Sequence, residues 1–101
     1  MKRLSYAEFA AIRTDAMRLL DVREPHEFAQ VRVKGAELFA LSSLQEGRLP
    51  EGDDRQIFVI CRSGARSQMA SHILESNGFP ECTNVDGGTL AAMALGDDHI
   101  E

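Results

Sequence analysis

Four consecutive β-favouring apolar residues, Ile57-Phe58-Val59-Ile60, constrain this chain more than any other feature. A strand with one wet face alternates apolar and polar residues, whereas an uninterrupted run needs cover on both faces. That is the condition of a central strand in a parallel sheet, whose neighbours must be joined by crossover connections, usually helices. The remaining sequence supplies such connections. Ser5-Tyr6-Ala7-Glu8 has the S-x-x-E form of a capping box and predicts a helix from Tyr6 to about Arg13. Leu19 to Val22 reads as a buried strand that stops at Arg23-Glu24, with Pro25 opening a short helix through Ala29. Leu38 to Leu41 reads as another strand, Ser42 to Gln45 as a helical turn, and Gly47 to Arg55 as polar loop marked by Pro50 and Gly52.

After the central run, a helix is expected from about Arg66 to Ser76, with Met69, Ala70, Ile73 and Leu74 on its buried face. Asn77-Gly78 suits its left-handed end, and Pro80 forbids continuation. Thr83 to Val85 is the last expected strand. Asp86-Gly87-Gly88 then turns into a short apolar helix ending near Leu95, and residues 96–101 read as a frayed tail. Strands and helices alternate throughout, which argues for an α/β domain with a parallel sheet covered on both sides. At 101 residues the chain fits one domain and can bury a single core without staples.

The formal net charge of −5 and the lack of a basic stripe argue against nucleic-acid binding, which needs clustered Lys and Arg. No apolar run is long enough to cross a membrane, and Met1-Lys2-Arg3 does not open a leader, so a cytoplasmic location without membrane partners is expected. Two cysteines, Cys61 and Cys82, make neither a disulfide framework nor a metal site by spacing, and no cofactor motif is present.

Cys61 stands at the carboxyl end of the central run, where ligands bind in open α/β sheets. Arg62-Ser63-Gly64-Ala65-Arg66-Ser67 follows, a short loop closing onto a helix start. Such a loop aims backbone N–H groups and the positive end of a helix dipole inward, and Arg62 and Arg66 add permanent charge. These features favour a thiolate, because cysteines at helix N-termini or beside cations ionise well below the usual value. An ionised thiol needs no general base, and none of His26, His72 and His99 is placed to serve as one. An inert buried Cys61 is the plainer alternative, but the two arginines and the glycine weigh against it. For Cys82, which precedes a strand, a buried filler is preferred to a resolving thiol.

Cys61-Arg62-Ser63-Gly64-Ala65-Arg66-Ser67 resembles the active-site loop of single-domain rhodaneses. Leu20-Asp21-Val22-Arg23-Glu24-Pro25-His26-Glu27-Phe28 is similar to that family's N-terminal signature, Gly35-Ala36 to its following turn, and Asn84-Val85-Asp86-Gly87-Gly88 to its C-terminal signature. The resemblance implies a three-layer fold with a central five-stranded parallel sheet and helices on both faces. It implies sulfur transfer from a small anionic donor such as thiosulfate, through a transient persulfide on Cys61, to cyanide, a thiol or a protein acceptor. Backbone groups from Arg62 to Ser67 would cradle the persulfide, Arg62 and Arg66 would attract the donor, and Asp21 and Arg23 would act structurally behind the site.

The chain departs from the family pattern at Val31-Arg32-Val33-Lys34, where a Gly-His-Ile-Pro stretch is common, and at Ala92, where a Trp is familiar. Met93 or Phe79 is expected to refill the Trp space. Arg32 and Lys34 either add positive charge near the mouth or form a solvated surface pair. Cys61 to Arg66 reads C-x4-R, one residue short of a phosphate-wrapping C-x5-R loop, which argues against a phosphatase. A persulfide carrier or regulatory module acting through a protein partner stays open as an alternative to an enzyme.

Overall fold

The computed structural model describes residues 1–101. Strands are β1 (Lys2–Ser5), β2 (Met17–Asp21), β3 (Glu37–Leu38), β4 (Gln56–Ile60) and β5 (Thr83–Asp86). Helices are α1 (Tyr6–Ile12), α2 (Pro25–Gln30), α3 (Leu41–Gln45), α4 (Ala65–Ser76) and α5 (Gly88–Leu95), followed by a 3-10 turn at Asp97–His99. All five strands are parallel, in the order β1-β5-β4-β2-β3. The expected five-stranded α/β architecture is therefore present. No helix is long and apolar enough to cross a membrane.

The apolar run behaves as its composition requires. Ile57, Val59 and Cys61 face a core shared with Leu41, Leu44, Ala70 and Leu74 from α3 and α4. Phe58 and Ile60 face the opposite core, with Tyr6 and Phe9 from α1 and Ala92 from α5. Successive strand residues thus bury against different helical layers, and β4 has no wet face. The capping box at the start of α1 is complete, with Glu8 N–H donating to Ser5 Oγ at 3.1 Å and Ser5 N–H to Glu8 Oε1 at 2.9 Å.

Several expectations are corrected. β1 carries no apolar alternation and was not expected. It is an edge strand, Lys-Arg-Leu-Ser, paired only with β5, and an edge favours such charged residues. The strand expected from Leu38 to Leu41 contracts to Glu37–Leu38, because Leu41 begins α3 and buries beside Leu44. On α4, Met69 is 52% exposed, and the buried stripe is instead Ser67, Ala70, Ser71 and Leu74. Small residues let this helix lie close on the sheet, with Ser71 Oγ returning its proton to Ser67 O at 2.8 Å.

The tail at 96–101, expected to fray, folds back instead. Val33 and Ile100 form an antiparallel bridge, Arg32 and Glu101 exchange backbone hydrogen bonds at 3.0 and 2.8 Å, and Tyr6 Oη meets His99 Nδ1 at 3.1 Å. Arg32 lies over the Phe28 ring at 4.8 Å and reaches Glu101, so it adds no free charge to the mouth. The space near Ala92 is filled by Tyr6, Phe9 and Phe58, with Phe9 and Phe58 rings 5.1 Å apart. Met93 is 43% exposed, and Phe79 packs on the other side of the sheet, so neither refills that space.

Candidate active site

The site forms where β4 ends. Cys61 is 1% exposed, and the chain rises from it through Arg62 and Ser63 to Gly64, whose φ of 124° is left-handed backbone that glycine alone adopts without strain. Gly64 caps α4, so the first N–H groups of that helix point back at the sulfur. Gly64 N–H donates to Cys61 Sγ at 3.1 Å, and Ser67 Oγ lies 3.3 Å from it. Ser67 Oγ also stands 3.1 Å from Gly64 O. Its single proton can therefore serve that carbonyl when Cys61 is a thiol and turn to the sulfur when it is a thiolate.

Burial alone would push the Cys61 thiol up. Hydrogen bonds from the Ser67 hydroxyl and from the backbone N–H groups of Ser67, Gly64 and Ser63 outweigh it and hold the thiol below its ordinary value. Alkylation by iodoacetamide is expected to show a midpoint below the roughly 8.5 of free cysteine. Ser67→Ala is expected to move that midpoint upward, since one donor to the thiolate is lost while the burial stays. An unmoved midpoint in the variant would show that the hydroxyl does not support the anion.

Arg62 and Arg66 differ. Arg66 is gripped by Glu27 from α2 through two bonds, Nη1–Oε1 at 2.7 Å and Nη2–Oε2 at 2.9 Å. Its charge is thereby largely committed. Arg62 is exposed, and no carboxylate lies within ion-pair distance of it. Nothing local in the sequence marks Glu27 as a partner of Arg66, although it lies within the stretch that carries Asp21 and Arg23. Its carboxyl also accepts from Glu24 N–H at 3.1 Å, and Arg66 above all holds it down at about 2.

A depressed carboxylate stabilises the fold above its unfolded value and loses that contribution as pH falls through the folded one. The stability gap between the wild type and Glu27→Gln is therefore expected to be full above about pH 5 and to close between about 4.5 and about 2. Chemical denaturation across that range measures it. A gap constant over the range would deny the ion pair its role.

Asp21 and Arg23 form a buried ion pair at the end of β2. Asp21 ends β2 opposite Ile60, one residue before Cys61, and is fully buried with Arg23. Arg23 Nε and Nη2 bond its carboxylate at 3.0 and 2.8 Å, and Nη2 continues to Val31 O at 2.7 Å. Ser63 and Ala65 are exposed on the loop and at the start of α4. Gly87 is a turn residue that caps α5, whereas Gly88 opens the helix and does more than turn. Its segment delivers Thr89 N–H to Cys61 O at 2.9 Å and Leu90 N–H to Arg62 O at 3.2 Å, so the start of α5 holds the loop from beneath.

Cys82 is a filler. It is fully buried, its S–H reaches Pro80 O at 3.6 Å, and burial pushes its thiol up to about 11. It precedes Thr83, which pairs with Phe58, so it stands roughly four residues, about 13 Å, down the sheet from Cys61. That span is too long for a disulfide without moving a strand.

Comparison with known proteins agrees with the fold. The rhodanese-like domain model matches residues 5–94. The chain is 36% identical over 88 residues to YqhL of Bacillus subtilis, covering 87% of this chain and 69% of that one. It is 31% identical over 87 residues to the thiosulfate sulfurtransferase GlpE of Stutzerimonas stutzeri, covering 86% and 80%. It spans only 40% of YrkF, a putative sulfur carrier protein of Bacillus subtilis, matching 73% of its own length at 30% identity over 74 residues. A rhodanese-related protein of Thermoplasma volcanium superposes with a TM-score of 0.82 at 27% identity, covering 95% of this chain and 94% of that one.

Proposed function

This chain belongs to the rhodanese-like domain family, and we propose that it is a sulfurtransferase carrying sulfane sulfur as a persulfide on Cys61. The observation that carries the reading is the pair of donors on Cys61 Sγ, from Gly64 N–H and the Ser67 hydroxyl, in a loop that lowers the thiol's pKa. The Cys61 thiolate attacks the outer sulfur of thiosulfate. A bond forms between the two sulfurs, the donor's S–S bond breaks, and sulfite departs with the electron pair. The outer sulfur then bears the negative charge and meets the inward N–H groups between Arg62 and Ser67. A nucleophilic acceptor takes that sulfur and returns Cys61 to the thiolate. Each step exchanges one S–S bond for another bond to sulfur, so no metal or redox cofactor is required.

Exposed Arg62 draws the anionic donor, while Arg66, neutralised by Glu27, shapes the loop more than it attracts. The relatedness to GlpE favours an enzyme. The relatedness to YrkF supports a second reading, a persulfide carrier that unloads to a protein. Two free thiols, one of which must stay reduced to work, suit a cytoplasmic setting.

Intact mass after exposure to thiosulfate, followed by thiocyanate formation on adding cyanide, tests the reading, with Cys61→Ser as the blank. Gain of one sulfur atom and repeated turnover, both absent in the blank, are expected. Loading without turnover would favour the carrier. No sulfur gain would overturn the sulfurtransferase reading.

A further inference from the structure

The composition of α5 does not match its place on the outside of the sheet. Gly88-Thr89-Leu90-Ala91-Ala92-Met93-Ala94-Leu95 carries no charged side chain, in a chain of which 27% is charged. Only Gly88, Thr89 and Ala92 are buried against the domain. Leu90, Met93 and Leu95 are 40%, 43% and 51% exposed, and they are three of the six large hydrophobic side chains left exposed on the whole molecule. A helix with one wet face ordinarily carries polar residues there, and one that is apolar all round is covered on both sides. Missing charge and clustered apolar exposure are the composition of an interface core.

The ends of the helix say what covers it. Arg62 stands at the start, where Leu90 N–H donates to Arg62 O, and it is exposed with no carboxylate within ion-pair distance. Asp97 and Asp98 stand just past the end, both exposed and with no cation within ion-pair distance. A strip that is positive at one end, negative at the other and apolar between is complementary to itself turned end for end. We propose that this face is the interface of a two-fold homodimer, with α5 packed antiparallel against the partner's α5. In such a contact residue i meets j while j meets i. With the axis level with Ala92, Leu90 packs on the partner's Ala94, and Ala94 receives the partner's Leu90. The two lie four residues apart on one stripe, so a large side chain meets a small one at each step. Arg62 meets the partner's Asp97 and Asp98 at both rims. A parallel pairing would instead set Arg62 against the partner's Arg62. Rim pairs fix orientation more than affinity, so an arriving donor anion can still displace them from Arg62. The dimer does not depend on the sulfur chemistry proposed above.

Sedimentation equilibrium between about 10 μM and about 1 mM chain tests the proposal, a range set by the small size of a contact built on one short helix from each side. The wild type is expected to pass from one chain mass to two across it, and Leu90→Lys, altered at an already exposed position, to stay at one. Arg62→Asp alone, and Asp97→Arg with Asp98→Arg in a second chain, are each expected to weaken association at least about tenfold, since each sets like charges against each other at both rims. An equimolar mixture of these two variants is expected to recover the dimer as a heterodimer, because both rims are then opposite in charge. A wild type that stays monomeric throughout would leave the face to some other partner and overturn the proposal. A dimer indifferent to Leu90→Lys, or a mixture that forms no heterodimer, would overturn it as well.

Discussion

Gly88→Ala is expected to destabilise the domain by about 3 kcal/mol and to lower sulfur transfer by roughly a hundredfold. Gly88 has a φ of 58°, and a Cβ built on it would overlap Cys61 O and stand 2.6 Å from Arg62 O. Both obstacles are backbone, so no side-chain rotation relieves them. Either α5 backs away or the loop lifts, and in both cases the bonds from Thr89 N–H to Cys61 O and from Leu90 N–H to Arg62 O stretch. The sulfur and its donors ride on that same loop, and a misplacement of about 1 Å in a reacting group can cost on the order of a hundredfold.

Gly47→Ala supplies the control. Gly47 also has a left-handed φ, 92°, but a Cβ there meets nothing, so only the conformational strain of roughly 1–2 kcal/mol applies and the site is untouched. Urea denaturation and single-turnover loading of the two variants separate the terms. If Gly88→Ala cost no more than Gly47→Ala and loaded sulfur at the wild-type rate, the clamp from α5 would have no functional weight.

Position in the chain explains what could be read in advance. Cys61 and its hydrogen-bond donors lie within seven residues, Cys61 to Ser67, and the contacts to the sulfur follow from strand, glycine and helix start in immediate succession. The central strand was equally legible, because burial on both faces demands a run that no other element requires at that length. Contacts at long range were not. Glu27 reaches Arg66 across 39 residues and Thr89 reaches Cys61 across 28, and nothing local in Glu27 or Thr89 announces those partners. The second arginine consequently read as free charge when it is a paired one.

The remaining differences share one cause, the tertiary override of local pattern. β1 is polar because an edge strand has little to bury, so periodicity gave no signal there. Met69 has the spacing of a core residue, yet the small face of Ser67, Ala70, Ser71 and Leu74 packs closer and turns Met69 outward. The tail is polar and short, and it is ordered through backbone bonds to Arg32 and Lys34 that composition does not encode.

Asp21→Ala carries the second large expectation, a loss of about 3–5 kcal/mol, against a total of roughly 5–15 for a domain of this kind. The arithmetic comes from what remains rather than from what is removed. Arg23 is 3% exposed, and its guanidinium and backbone N–H direct four contacts of 2.8 to 3.1 Å at the two Asp21 oxygens. Without the carboxylate the guanidinium keeps only Val31 O, leaving a buried cation without a counter-charge. The ion pair itself is a different quantity, since desolvating both charges offsets much of their attraction. Asp21→Leu combined with Arg23→Met is therefore expected to cost far less than Asp21→Ala alone, within about 1–2 kcal/mol of the wild type. Asp21 backbone atoms also matter to the site, because Asp21 pairs with Ile60 at the strand ends and Phe39 N–H donates to Asp21 O at 2.9 Å. Those contacts survive both substitutions. The double variant should accordingly keep the Cys61 loop in place and load sulfur within severalfold of the wild-type rate, whereas Asp21→Ala should lose folded protein first. Equal destabilisation by the single and double variants, measured by urea denaturation, would mean that the carboxylate does more than balance Arg23 and contributes directly to the end of β2 on which Cys61 depends.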